Sequence, residues 1–263
     1  MPELRRKIFV TATRSWESAV FRDLPAAFRG LGGNLYNEAP RTPTSSSFGA
    51  SAVQIEVVSD TICPWCYIGK RRLEKALRLR PHVRAAPKWR PFLLNPEMPP
   101  EGIDRALYLV RKFGSEARVR RMFGAISEAG SSEEIDFAFE RIRRTPNSVD
   151  SHRLVRLADR LGLADAAVEA LFFAYFVEGR NVGDRRVLVE VAAGVGLDAQ
   201  EARAYLDSDE DVTAVYDENA RAHRLGVNGV PSFIFNGRMV ISGAQDPQVL
   251  ARMIDAAEAA AHA

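Results

Sequence analysis

Only two cysteines occur among the 263 residues of this chain, and that scarcity excludes a secreted framework stapled by several disulfides. Charge of neither sign is in excess. The 36 lysines and arginines against 34 aspartates and glutamates leave a net +2, too little to draw nucleic acid or an anionic membrane. Long hydrophobic runs are missing too: no stretch approaches the ~20 apolar residues a spanning helix requires. The expectation is therefore no nucleic-acid partner and no membrane. Histidine is sparse. His82, His152, His223 and His262 stand at no paired spacing, and a zinc site needs about four ligands, so no metal is expected. What remains, 46% hydrophobic and 27% charged residues, is the composition of a soluble globular protein able to bury a substantial core.

Residues 1–52 read differently from the rest. They end in Ala39-Pro40-Arg41-Thr42-Pro43-Thr44-Ser45-Ser46-Ser47, which is turn-rich and weakly hydrophobic. Arg5-Arg6 before Ile8-Phe9-Val10, with Ala50-Ser51-Ala52 further on, carries two marks of an export signal. The apolar stretch that should join them is interrupted by Arg14, Glu17, Arg22 and Asp23. A disordered or loosely packed extension over 1–52 is the expectation, and the cytoplasm the expected compartment.

Beyond it, Val53-Gln54-Ile55-Glu56-Val57-Val58-Ser59 predicts a mostly buried strand. Asp60 and Thr61 are helix-start residues, and a helical pattern follows from Trp65 to Leu79, ended by Pro81. Lys88 to Leu94 predicts a second strand, which Pro91 confines to an edge or a bulge. Residues 53–96 thus form a βαβ unit. Across 97–212 helical periodicity dominates, as in Leu107–Phe113, Val119–Ile126, Leu154–Leu161, Ala166–Val177 and Val187–Val195. Ile135–Phe139 is ambiguous between strand and loop. Strand signal returns in 213–263 at Ser232–Phe235 and Arg238–Met239-Val240-Ile241, joined by Asn236-Gly237, the strongest short hairpin signal. A last helix runs from about Pro247 to Ala261. The order βαβ, long helical block, ββα predicts an α/β domain with an all-helical domain inserted into it.

The two cysteines fall together, as Cys63-Pro64-Trp65-Cys66, where the first strand gives way to its helix. Thiolate is the nucleophile in disulfide exchange, and a helix N-terminus stabilises negative charge through unpaired N–H groups and the dipole. Pro64 suits the first helical turn, where its missing N–H removes nothing. Cys63 is therefore expected as the exposed attacking sulfur and Cys66, one turn on, as the buried resolving sulfur. Competing readings are a zinc site, two inert buried thiols, or a structural disulfide whose small loop adds little stability. Redox chemistry fits the position better than any of these.

Several stretches then resemble one known group. Ser59-Asp60-Thr61-Ile62-Cys63-Pro64-Trp65-Cys66-Tyr67-Ile68-Gly69-Lys70, Arg90-Pro91-Phe92-Leu93-Leu94-Asn95-Pro96, Glu178-Gly179-Arg180-Asn181-Val182-Gly183-Asp184, Gly226-Val227-Asn228-Gly229-Val230-Pro231 and Ser242-Gly243-Ala244-Gln245 resemble the DsbA-like thiol oxidoreductases of the FrnE type. The resemblance covers residues 53 to 255 and implies a thioredoxin fold with a helical insert. It also implies a cis Val230–Pro231 peptide against the sulfurs, with the Val230 backbone pairing a substrate segment. Pro64, Trp65, Val230 and Pro231 are thus the expected substrate-binding residues. Pro-Trp stands where periplasmic DsbA proteins carry Pro-His, so their strong oxidising power is not implied. The 2-hydroxychromene-2-carboxylate isomerases and kappa-class glutathione transferases share the layout but usually carry serine at the first cysteine. A glutathione-dependent isomerase or transferase is accordingly the runner-up, and a redox-gated chaperone or binding module a third reading.

Protein or small-molecule thiols and disulfides are the expected partners. No cofactor is expected to be bound, with glutathione a candidate redox partner near Asn181, Ser242, Gln245 and Asp246. Oligomeric state is open. Lys70, Arg71 and Arg72 read as a solvated helix face. Leu171–Phe176 reads as core rather than a substrate groove, and Trp65 as either a stacking platform or a cover for the sulfurs.

Overall fold

The computed structural model describes residues 52–261, so the expectations for the N-terminal extension lie outside the described residues, Ala52 apart. Strand β1 (Val53–Ser59) leads through a short turn into helix α1 (Pro64–Arg78), and β2 (Ala85–Pro91) returns parallel to β1. After the helical block, β5 (Ser232–Phe235) and β6 (Met239–Ser242) form a hairpin, and α9 (Pro247–Ala261) follows. The sheet order is β2-β1-β5-β6, with β5 antiparallel to β1. This is the thioredoxin-like α/β arrangement, with the two halves of one sheet reunited across the insert.

Local chemistry explains the frame. Asn236 and Gly237 both take positive φ, 49° and 69°, as a two-residue hairpin loop requires. The Asn236 side chain is also used: its Oδ1 accepts from Gln54 N at 2.9 Å and its Nδ2 donates to Ala257 O at 2.8 Å. Strand β2 lies at a sheet edge, where Pro87 and Pro91 remove no ladder donor that a neighbour needs. It starts and ends three residues earlier than its apolar run suggests. Phe92 leaves the sheet to pack with Val58, Ala222, Val227 and Ile234, while Leu93 N donates to Asn219 Oδ1 at 2.9 Å.

One face of the sheet buries Val53, Ile55, Val57, Phe233 and Phe235 against Leu73 and Ala76 of α1 and Leu250 and Ile254 of α9. Between β2 and β5 come α2 (Arg105–Phe113), α3 (Glu116–Ser131), α4 (Val149–Asp159), α5 (Ala164–Phe176), α6 (Arg185–Gly194), α7 (Ala199–Asp207) and α8 (Val212–Arg224). The expected helical stretch holds one small exception, the paired two-residue strands β3 (Ile103–Asp104) and β4 (Arg144–Thr145). Ile135–Phe139 is not a strand; a 3-10 turn spans Phe139–Arg141. Helices α7 and α8 lie where no periodic apolar pattern announced them. Asp198 caps α7 by accepting from Gln200 N and Glu201 N.

The aromatic run on α5 is core: Leu171, Phe172, Tyr175 and Phe176 are fully buried, and Tyr67 of α1 stacks on Phe172 at 5.1 Å. Ile62, Cys63, Cys66, Tyr67 and Ile68 belong to this same apolar cluster. The end of α1 that carries the cysteines is therefore packed into the insert, while its far end packs onto the sheet.

Candidate functional site

Cys63 is the N-cap residue of α1, with φ −97° and ψ 114°, and Pro64 occupies the first helical position. At that position a serine or aspartate oxygen would ordinarily accept from the first-turn amides; the Cys63 side chain makes no such cap bond. The first turn contains no acidic side chain to oppose a thiolate. Cys63 N donates to Asp60 O and Cys66 N to Cys63 O, both at 3.0 Å, which winds the turn tightly into the helix. Both cysteines are free thiols.

One expectation needs correcting. Cys63 is not an exposed sulfur: it is 5% exposed and Cys66 1%, because Ile62 and both cysteines sink into the cluster built by the insert. Cys63 is the less buried of the two, and its flanks are more open. Trp65 is 38% exposed, and Pro64 and Val230 are half-buried. Burial pushes the Cys66 thiol well above its ordinary range, and the adjacent Cys63 sulfur pushes it further in the same direction. Cys66 thus holds its proton more firmly than an ordinary thiol.

Val230 and Pro231 come to the same place from the other end of the sheet. Cys63 Sγ lies 3.7 Å from Val230 O, and the Val230–Pro231 peptide is cis. Pro231 O accepts from Gly243 N at 2.7 Å. Gly69 allows the close approach: a Cβ there would stand 2.7 Å from Pro231 Cγ and 3.4 Å from Phe233 Cζ. Cys63, Cys66, Pro64, Trp65, Val230 and Pro231 are therefore gathered around one helix N-terminus. Asn181, Ser242, Gln245 and Asp246 make local hydrogen bonds. Asn181 Oδ1 accepts from Gly183 N, Ser242 Oγ pairs with Ser232 Oγ, Gln245 donates to Ser242 O, and Asp246 caps α9.

The basic residues of α1 are not a solvated face. Lys70 is 3% exposed and meets Glu74, Asp165 at 3.1 Å and Glu169 at 3.2 Å. Arg71 pairs with Glu169 and Glu74, and Arg72 with Glu133 at 2.7 Å. Burial alone would lower the Lys70 ammonium's pKa, but the charges of Asp165, Glu169 and Glu74 outweigh it and hold it above its ordinary range. These residues bolt α1 to the insert.

Two further residues went unrecognised. Asp60, fully buried, accepts from Ile62 N at 3.2 Å and from Leu94 N at 2.8 Å, fixing the turn that presents Cys63. His152 of α4 brings Nε2 to 3.6 Å from Asp60 Oδ1. Beside it Ser151 Oγ lies 2.6 Å from Thr61 Oγ1. Asp60 was visible in the sequence as a helix-start residue; nothing local could have linked it to a histidine 92 positions on. Among the described residues no three His, Cys, Asp or Glu side chains converge as a metal site would require, and no helix is long and apolar enough to cross a membrane.

A dithiol at the N-terminus of the first helix, facing the residue before a strand-initial proline, defines a thioredoxin-fold thiol protein. Comparison with known families narrows that class: residues 54–255 match the model of the DSBA-like thioredoxin domain, and the chain belongs to that family. It is similar to a Streptomyces coelicolor structure described as a probable DsbA oxidoreductase, at 31% identity and TM-score 0.71, covering 78% of this chain and 89% of that one. It is also 26% identical over 208 residues to the uncharacterized Bacillus subtilis protein YwbO, covering 77% of this chain and 96% of that one. The cytosolic disulfide reductase DsbM of Pseudomonas aeruginosa, solved with GSH, shares the fold at TM-score 0.53 and 22% identity, with 80% and 97% of the two chains covered.

Proposed function

We propose that this chain is a thiol–disulfide oxidoreductase that reduces protein or low-molecular-weight disulfides in the cytoplasm. The observation that carries this reading is the placement of Cys63 as the N-cap of α1, with Cys66 one turn behind it and Val230 O at 3.7 Å. The thiolate of Cys63 attacks one sulfur of the substrate disulfide, forming a mixed disulfide and expelling the other substrate sulfur as thiolate. Cys66 then loses its proton and attacks Cys63 Sγ. A Cys63–Cys66 disulfide forms, the second substrate thiolate leaves, and two electrons have passed to substrate. A small thiol such as glutathione returns the pair to the dithiol at the cost of two thiols joined as a disulfide.

Trp65, Pro64, Val230 and Pro231 form the surface a substrate meets. The Val230 backbone offers an extended segment a place to pair as an added strand. With Cys63 only 5% exposed, small disulfides and extended unfolded segments are better substrates than folded surfaces. Exchange with an insulin-type disulfide tests the reading: Cys63→Ser should abolish it, and Cys66→Ser should stall with substrate trapped on Cys63. Undiminished turnover by Cys63→Ser sinks the proposal.

A further inference from the structure

A cavity of about 290 Å³ lies at the β2 edge of the sheet, bounded by α4, α5 and α8. Its lining is of two kinds. Trp89, Pro91, Val155 and Val168 are apolar, and both valines are buried. The charged part sets Arg90, Arg156 and Arg160 against Asp159, Asp211 and Glu218, so its charges cancel. Most of them satisfy one another. Glu218 Oε1 meets Arg90 at 3.1 Å and Arg156 at 3.5 Å, and Asp211 meets Arg156 at 3.1 Å and Arg160 at 2.6 Å. Three buried atoms among the lining residues are left over: Glu218 Oε2, Arg156 Nε and His152 Nε2 have no hydrogen-bond partner in the protein. The His152 side chain is 4% exposed, and its Nε2 stands 3.6 Å from Asp60 Oδ1, too far for a hydrogen bond.

These three atoms define what would complete the site. A carboxylate oxygen can only accept, and a guanidinium N–H can only donate, so one occupant must offer both a donor and an acceptor. Leaving either group buried and bare is costly. We infer that the cavity binds a free amino acid with a small apolar side chain, held as its zwitterion. The ammonium donates to Glu218 Oε2, and the carboxylate accepts from Arg156 Nε and from His152 Nε2. The side chain lies against Trp89, Val155 and Val168.

Size and charge both select this class. The volume is at the lower end of the ~300–1,000 Å³ typical of ligand pockets, and about ten times the ~30 Å³ share of one water in the liquid. An ion of one sign would bring an unmatched charge into a lining already balanced, and its desolvation would go uncompensated. A zwitterion brings one charge of each sign. A polyol also donates and accepts, but hydrogen bonds between ionised partners are roughly twice as strong as neutral ones. Such a site goes beyond the oxidoreductase reading and stands whether or not the dithiol is active, since neither cysteine lines it.

Equilibrium dialysis of the full-length protein against radiolabelled L-valine tests the assignment. Retention should saturate at one valine per chain, with Kd of about 1 mM or below. Isovalerate, which lacks the ammonium, and isobutylamine, which lacks the carboxylate, should each compete at least roughly 10-fold more weakly than unlabelled valine. Glu218→Gln keeps the side chain's shape and removes its charge, and should weaken valine by roughly 10-fold. His152→Gln should weaken it by roughly 3- to 10-fold. No saturable retention up to about 10 mM valine means that the cavity holds water alone and overturns the site. Isovalerate or glycerol competing as well as valine overturns the zwitterion, and undiminished retention in both variants overturns the location. Should Glu218→Gln fail to fold, His152→Gln and the two competitors on the parent protein decide the matter.

Discussion

Replacing Lys70 by methionine keeps most of the side chain's length and deletes its charge, which makes it a direct test of how helix α1 is held. Lys70 is 3% exposed and faces the carboxylates of Glu74, Asp165 and Glu169. Removing one partner from a buried ion-pair cluster costs about 3–5 kcal/mol, because the groups left behind remain desolvated. Two features favour the lower end. Asp165 is 40% exposed and keeps the Trp89 Nε1 donor at 3.1 Å, and Arg71 stays on Glu74 and Glu169. A loss of about 3 kcal/mol in a domain of this size lowers the melting midpoint by roughly 6–12 °C.

The loss should depend on pH in a defined direction. Burial would raise the Glu74 carboxyl above its ordinary 4.5, but the Lys70 and Arg71 charges hold it lower. A depressed carboxyl contributes stability that is present above its unfolded value and lost as pH falls through its folded one. Without Lys70 that depression weakens. The gap between parent and variant is therefore widest at neutral pH and narrows in acid as the carboxylates protonate. Urea titrations followed by tryptophan fluorescence at neutral and acidic pH measure both. A variant within about 1 kcal/mol of the parent at neutral pH would show that the cluster behaves like an exposed pair and refute the reasoning. A gap that ignores pH would do the same.

Two other outcomes follow from the site. Gly69→Ala drives a Cβ to 2.7 Å from Pro231 Cγ, so overpacking of about 1–3 kcal/mol should outweigh the roughly 1 kcal/mol gained in helix propensity. Disulfide exchange should fall with it as Val230 and Pro231 are displaced; a variant as stable and active as the parent would refute the close packing. In the native dithiol form, iodoacetamide should label Cys63 and spare Cys66, whose thiol burial keeps protonated, until the protein is unfolded. Peptide mass mapping reads the ratio, and equal labelling of the folded protein would contradict the assigned roles.

What the sequence discloses here is what neighbours along the chain decide. Asn236-Gly237 could be recognised as a hairpin because positive φ at both residues is a local demand. The helix from Pro247 to Ala261 and the helix start behind Cys63 were equally local. The basic face of α1 was misread for the converse reason. Lys70, Arg71 and Arg72 are spaced as residues on a solvated helix would be, and apart from Glu74 the carboxylates they meet lie 61 to 99 positions away. Helix α7 escaped notice because its face is short and its start is set by Asp198 rather than by an apolar stripe. The depth of Cys63 is a property of the insert packed over it, which no pattern around residue 63 encodes.

That dependence changes how the dithiol should be regarded. Helix α1 is gripped by the insert at three places: Lys70 and Arg71 on α5, Arg72 and Lys75 on Glu133 after α3, and the turn before Cys63 on Ser151 of α4. Glu133 is itself 6% exposed, so its two ion pairs are partly desolvated and hold their geometry more firmly than surface pairs do. Removing the insert would uncover Ile62, Tyr67 and Ile68, leave Lys70 with Glu74 but without Asp165 and Glu169, and release the Asp60 turn from α4. It would also open Cys66 to solvent and remove the burial that raises its thiol above the ordinary range. The helical segment is thus no mere lid set over a complete thioredoxin unit; it buries both sulfurs, Cys66 the more deeply, at the end of the helix it grips.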